Sequence, residues 1–283
     1  SKQIKYYMGR MKKWLIQMFN VVCDFICGKP LLNFSKHIDT IYVLNLTSRK
    51  DRKEILSKRL ESIKTWSGKT LLDYTIWVKA IPGKYLPTWN KNKVIADYDF
   101  MDHWQFQPDP SFIKDLEHFK KQKITATNIE VAIGTGHFNM WQQFKKSKFK
   151  SALFLEDDIY FKDEPRQFIQ KFNQILLELP KDWDILYINA HRCEYGGFKT
   201  QPISENILRL DQGVWWLSGY MLSKEGVKKL LKNKPIVGPV DVWINKCLPK
   251  MNAYIVKEDP ITQDQDQLSS DNSYSWNARF WPN

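Results

Sequence analysis

Three consecutive carboxylates, Glu156, Asp157 and Asp158, follow directly on the apolar run Ala152-Leu-Phe-Leu. Like charges this close raise one another's proton affinity unless a cation neutralises them. Side chains alternate along a strand, so Glu156 and Asp158 face one way and can share a hard, oxygen-preferring ion such as Mn2+ or Mg2+. A solvated acidic turn or a helix cap is the competing account of the triplet taken alone. A second feature is Ile41-Tyr-Val-Leu-Asn45-Leu-Thr47-Ser-Arg49-Lys-Asp51-Arg52. Here a strand leaves its sheet and meets the basic start of a helix, the usual place for ligands in open α/β sheets. Arg49 and Arg52 each carry a planar fork of donors suited to a pyrophosphate or a uridine edge. Ordinary surface charge, with Asp51 near the positive end of the helix dipole, is the alternative. The third feature is Asp241 in Gly238-Pro-Val-Asp241-Val-Trp243, a carboxylate at a predicted helix start. It can take up a proton from a reacting hydroxyl or cap the helix.

These groups need elements to hold them. Short apolar runs predict strands over residues 40–45, 74–79, 152–156, 184–189, 214–222 and 253–257, and helical periodicity fills 50–65, 128–146, 165–177, 224–231 and 240–247. Such alternation predicts an α/β fold with a mostly parallel central sheet. Residues 86–127 read as one long loop carrying function or a surface insertion. An amino-terminal helix precedes the sheet. Ile4, Met8, Met11, Leu15, Met18, Val22 and Phe25 recur at steps of four and three, a coiled-coil seam that Gly28 and Pro30 terminate. The chain therefore divides into a basic amphipathic helix over residues 1–34 and a catalytic-sized domain over 35–283. The seam predicts a homodimer through residues 4–25, with docking on the domain of the same chain as the alternative.

With 283 residues, 43% of them hydrophobic and 14% aromatic, the chain is long enough for one well-packed domain. Its four cysteines lack the spacing of a disulfide framework or zinc site and read as free thiols. No stretch reaches the roughly 18–20 apolar residues of a membrane span. The net charge of +12 is polarised: residues 1–34 carry six cations against Asp24, whereas the stretch from Lys257 onward is net acidic. That distribution, and a triplet that would repel phosphate without a metal, disfavour a nucleic-acid-coating protein.

The segments 41–52, 80–83, 130–141, 154–158, 218–223 and 239–241 occur in an order that resembles glycosyltransferase family 25. That family includes bacterial lipo-oligosaccharide galactosyltransferases and collagen hydroxylysine galactosyltransferases, and the resemblance spans about residues 39–275. It implies a GT-A-type nucleotide-sugar fold whose acidic triplet serves as the Asp-x-Asp metal motif. Carried onto this chain, Glu156 and Asp158 would hold Mn2+ (or Mg2+) against the donor diphosphate, with Asp157 near the ribose. Asn45, Arg49 and Arg52 would line the nucleotide pocket and Ala80 would sit beside the base. The tail, with Asp271 ahead of Trp276, is more similar to the collagen-type branch. Two departures stand out. Gly136-His137 replaces the Ser-His common in the family. No histidine follows His191, so a third metal ligand would fall to Asp264, Asp266 or Asp271.

The resemblance implies an inverting, metal-dependent transfer of galactose or glucose from UDP-galactose or UDP-glucose to a hydroxyl, with hydroxylysine of a collagen-like protein as the first acceptor. A lipo-oligosaccharide or other glycan acceptor is the alternative, and a non-catalytic scaffold is the rival of another class. A single in-line displacement needs a base for the hydroxyl proton, for which Asp241 is the first candidate and Asp271 the second. Asn45-Leu-Thr47 is a glycan acceptor triplet placed where the first strand meets the donor, which leaves localisation open between the secretory lumen and the cytoplasm.

Overall fold

The computed structural model describes residues 31–263 except Ser35, residues 84–89 and most of 107–119, together with Met11, Trp14, Leu15 and Met18 of the amino-terminal segment. Its frame is an eight-stranded sheet with helices on both faces. In chain order the main elements are β1 (Thr40–Asn45), α1 (Lys50–Glu61), β2 (Thr75–Lys79), β3 (Val94–Ile95), β4 (Asp97–Asp99), α2 (Phe100–Trp104), β5 (Lys123–Thr125), α3 (Asn128–Lys146), β6 (Ser151–Glu156) and β7 (Ile159–Phe161). Then come α4 (Pro165–Glu178), β8 (Ile185–Arg192), β9 (Lys199–Pro202), β10 (Ile207–Gln212), β11 (Val214–Ser223), α5 (Lys224–Lys232), β12 (Ile236–Val237), α6 (Val240–Ile244), β13 (Ala253–Val256) and β14 (Ile261–Gln263).

The large sheet has the order β2-β1-β6-β11-β8-β13-β10-β9. β2, β1 and β6 pair in parallel, β11 runs antiparallel between β6 and β8, and β8 pairs with β13 in parallel. The ends of β1, β6 and β8 and the start of β11 therefore share one edge. Strand periodicity explains the layering. Ile41, Val43, Leu153 and Leu155 point to the face covered by Leu56 and Leu60 of α1 and Phe168, Phe172 and Leu176 of α4. Tyr42, Leu44, Ala152 and Phe154 point to the other face, where Phe138, Trp141 and Phe144 of α3 and Val227 and Leu230 of α5 cover them.

The helix starts follow from their caps. Thr127 accepts from the Glu130 backbone N–H while the Glu130 carboxylate receives the Thr127 N–H at 2.7 Å, a reciprocal capping box that fixes where α3 begins. Pro165 opens α4 at a position where its missing N–H costs nothing. Ser223 caps α5 by accepting from Gly226 N–H at 3.0 Å.

Where the sequence reads one helix over 50–65, α1 stops at Glu61, and Thr65 forms a bridge with Leu32 instead. Leu32 and Phe34, on the amino-terminal side of the division at residue 34, are fully buried, and Asn33 N–H donates to Asn173 at 2.8 Å. The stretch read as a loop over 86–127 holds β3, β4, α2 and β5 among its described residues. Their two-strand pairings, β3 with β12 and β4 with β5, are too short to leave a period in sequence. Most of the predicted seam over residues 4–25 lies outside the described residues. Met11, Trp14, Leu15 and Met18 are helical, and about half of each is exposed. Cys193 and Cys247 are free and buried, while Cys23 and Cys27 lie outside the described residues. Among the described residues, no helix is long and apolar enough to cross a membrane.

Gly226 shows how closely α5 approaches the sheet, since a Cβ there would stand 2.1 Å from the Asp184 carbonyl oxygen. Gly226→Ala therefore destabilises the fold by about 1–3 kcal/mol despite alanine's better helix propensity. The readout is the urea midpoint, and a midpoint at or above the parent's would show that α5 can slide away.

Candidate active site

The residues singled out in the sequence converge on the shared edge of β1, β6, β8 and β11. The triplet divides into two directions there. Asp157 turns toward β1 and α1. Its Oδ2 accepts from Asn45 Nδ2 at 2.6 Å and from Leu46 N–H at 3.3 Å, and its Oδ1 accepts from Arg52 at 3.2 Å. Asn45, Arg52 and Asp157 are all buried. Burial pushes the Asp157 carboxyl above its ordinary value, with Asn45 and Arg52 opposing the rise. Arg52 thus ties the strand ends together from beneath the site. Arg49, nearer the surface, lies in a two-pronged ion pair with Asp51 at 2.9 Å and 3.1 Å. Ala80 follows β2 and donates its N–H to the Asn45 carbonyl at 2.8 Å, which brings it beside the first strand. Because Asn45 is buried with its amide engaged on Asp157, the folded chain cannot present the Asn45-Leu-Thr47 triplet for glycosylation.

Glu156 turns the other way. Its Oε1 accepts from His137 Nε2 at 3.1 Å and its Oε2 from Gln263 Nε2 at 3.0 Å. His137 is fully buried, and its Nδ1 lies 2.8 Å from the Tyr220 hydroxyl, which also receives Trp141 Nε1 at 2.8 Å. Gln263 reaches the site because β14 is anchored underneath: Asn189 Nδ2 donates to the Ile261 carbonyl at 3.1 Å, and Arg192 pairs with Asp259 at 2.7 Å. Gly136 explains one departure from the family pattern. A Cβ there would meet the end of the Leu44 side chain at 2.7 Å, so a serine would require that side chain to shift.

Asp158 completes the acidic edge. Its Oδ1 is buried and has no hydrogen-bond partner among the described residues. Burial first, and the Glu156 charge second, push its carboxyl up to about 7. Among the described residues no three His, Cys, Asp or Glu side chains form a closed metal cage. Two carboxylates, one with an orphaned oxygen, instead suit a hard cation that completes its shell with water and phosphate oxygens. The donor set fits Mn2+ or Mg2+ in that open form.

The opposite side of the edge is aromatic. Asp241 lies in the first turn of α6, with its Oδ2 accepting the Trp216 N–H at 3.3 Å and its Oδ1 the Val242 N–H at 3.0 Å. Pro239, and not Asp241, holds the cap position. Burial, with added repulsion from Glu130 and Glu156, pushes the Asp241 carboxyl up to about 6. Trp216 has a φ of 68°, a left-handed conformation rare for a bulky residue. His191 packs against Trp216 at 5.4 Å and Trp215 at 6.0 Å, and His103 lies 4.3 Å from Trp215. Trp215 Nε1 is buried without a partner among the described residues. The sequence reading missed Trp215, Trp216 and Gln263; the adjacent Trp-Trp pair was the one signal that pointed there. Asp271, Asp264 and Asp266 lie outside the described residues.

The Asp158 shift fixes a sign. A carboxyl raised from 3.8 to about 7 stabilises the fold fully below its unfolded value, and that contribution is lost as pH rises through 7. In metal-free buffer Asp158→Asn should flatten this decline and leave the variant more stable than the parent at about pH 8, by on the order of 2 kcal/mol. Thermal melts across the range check it; parallel profiles for the two proteins would dismiss the repulsion.

Known proteins are similar to this chain in sequence. Procollagen galactosyltransferase 2 of Mus musculus is 25% identical over 227 residues, which is 78% of this chain and 32% of its own length. Procollagen galactosyltransferase 1-A of Xenopus laevis is 26% identical over 214 residues, covering 73% of this chain and 30% of its own. A glycosyltransferase 25 family member of Drosophila melanogaster is 22% identical over 293 residues, 89% of this chain and 44% of its own. The chain thus spans about a third of the length of the procollagen galactosyltransferases it matches. The crystal structure of A197 from STIV covers 83% of this chain and 98% of its own at 11% identity, with a TM-score of 0.32. Residues 38–244 match the family described as Glycosyltransferase family 25 (LPS biosynthesis protein), and the chain belongs to that family.

Proposed function

We propose that the chain is an inverting, metal-dependent glycosyltransferase that moves galactose or glucose from a UDP-sugar to a hydroxyl acceptor. The observation that carries this reading is the meeting, on one sheet edge, of Glu156, an Asp158 with an unsatisfied buried oxygen and a desolvated Asp241. Glu156 and Asp158 would hold a divalent cation, which would supply positive charge for the departing diphosphate. Asn45 and Arg52 hold Asp157, and through it the strand ends that shape the nucleotide pocket, while Arg49 and Ala80 border that pocket. Asp241 takes the acceptor proton. Its backbone donors, Trp216 and Val242, fix the carboxylate, and the indole and imidazole rings beside it offer flat apolar surface to the acceptor.

Hydroxylysine in a collagen-like protein is the first acceptor, by analogy with the procollagen galactosyltransferases. A glycan acceptor is the second reading, favoured by the Trp215, Trp216 and His191 rings, which suit the apolar face of a pyranose. Release of UDP from UDP-galactose and UDP-glucose, in Mn2+ and in EDTA, with and without a hydroxylysine peptide, tests the proposal. Absence of Mn2+-dependent UDP release from every donor would overturn it and favour a scaffold. In the active protein Asp241→Asn should lower transfer about 10²–10⁴-fold with donor affinity retained. Since the base works deprotonated and its carboxyl sits at about 6, the parent's rate should climb through pH 6 to a plateau. Equal rates for parent and variant would move the role of base to Asp271.

The exposed Met11, Trp14, Leu15 and Met18 are the proposed self-association surface. Light scattering should give twice the chain mass at micromolar concentration and a single mass once residues 1–30 are removed. A monomeric full-length chain would eliminate the homodimer.

A further inference from the structure

His137 is inaccessible to solvent and to any substrate, yet it ends a run of polar groups that reaches the acidic edge. Its place follows from helix spacing. His137 and Trp141 stand four residues apart on α3, so both face the same strand residue, Tyr220 of β11. The Tyr220 ring is itself held in a stack with Phe154 of β6 at 5.2 Å. Hydrogen-bond accounting then orders every proton. An indole N–H only donates, so the Tyr220 oxygen accepts from Trp141 and keeps one hydrogen of its own to give. The one acceptor shown for that hydrogen is His137 Nδ1. With Nδ1 accepting, Nε2 must carry the ring hydrogen, and it points at Glu156 Oε1.

We propose that His137 is a positioning residue for Glu156, its tautomer set by the Trp141–Tyr220 pair so that a fixed N–H always meets the carboxylate. The proposal rests on reading Glu156 as a cation ligand. Buried polar groups are costly unless each is satisfied, and apolar residues could fill the same space at less risk. A run in which every member is satisfied, and which ends on a carboxylate at the site, is accounted for by what it does to that carboxylate. His137 and Gln263 each hold one Glu156 oxygen, leaving the remaining lone pairs directed outward. The side chain is thereby kept in one rotamer before the cation arrives, the arrangement by which outer groups raise metal affinity.

The test measures UDP binding by calorimetry with Mn2+ and with EDTA, using side chains that reproduce one imidazole nitrogen each. His137→Asn places an amide near Nδ1 and removes the donor from Glu156, whereas His137→Gln places an amide N–H near Nε2. The Asn variant should weaken Mn2+-dependent UDP binding about 10–100-fold. The Gln variant should restore most of it, and binding in EDTA should be the same in all three proteins. Asn binding as tightly as the parent, Gln losing as much as Asn, or equal losses in EDTA would each overturn the positioning role. Should His137→Asn fail to fold, Tyr220→Phe carries the test. It keeps the ring stack but releases the tautomer, so unchanged Mn2+-dependent affinity there overturns the proposal. A parent whose UDP affinity ignores Mn2+ has a different signature and sinks the cation reading of Glu156 itself.

Discussion

Carboxylates gathered at one end of a sheet repel one another, and burial makes the repulsion worse because less water is present to screen it. In this chain that constraint organises the whole carboxyl edge. Asp157 is relieved inside the protein by Arg52 and Asn45, which makes it a brace between β1 and β6. Glu156 is held by donors from α3 and β14, one on each of its oxygens. Asp158 is left with a buried oxygen that nothing in the described chain satisfies. One acidic triplet therefore yields a structural carboxylate, an oriented one and a strained one. The last two are the pair to which the proposed function assigns a cation.

The fold makes this division possible through the reversed strand next to the site. β11 runs antiparallel between β6 and β8, so its beginning, not its end, meets the site. Strand ends on the β1 side deliver Asn45, Ala80 and Glu156. The start of β11 delivers Trp215 and Trp216, and Tyr220, five residues beyond Trp215, lies deep enough in the sheet to meet His137. The same strand thus supplies the aromatic wall at its mouth and the anchor of the Glu156 support in its interior. The proposed division into a donor side and an acceptor side rests on the direction of that one chain segment.

Much of this was legible in residues. β1 and α3 fall where a short apolar run and helical periodicity place them, over Thr40–Asn45 and Asn128–Lys146. The triplet announced a charged edge. Its partition did not, since what separates Asp157 from Glu156 is Arg52, 105 residues away, and His137, 19 residues away. β9, β10 and β14 are short and partly exposed, so they leave no strong hydrophobic period. Trp216 escaped for another reason. A left-handed tryptophan contradicts local preference, and only the Asp241 contact across 25 residues makes sense of it.

That contact links the two sides of the edge. The Trp216 N–H can reach Asp241 only while its backbone stays in a conformation that costs on the order of 1–3 kcal/mol. The hydrogen bond offsets part of that strain, because a charged acceptor makes it stronger than an ordinary one. In return the carboxylate is held in a buried position, and burial is what raises its proton affinity to about 6. Strain in the strand, fixed direction of the carboxylate and a carboxyl tuned toward neutrality are therefore one arrangement. Relaxing Trp216 into an ordinary strand conformation would turn its N–H away from Asp241, leaving the carboxylate with fewer donors and a less fixed direction.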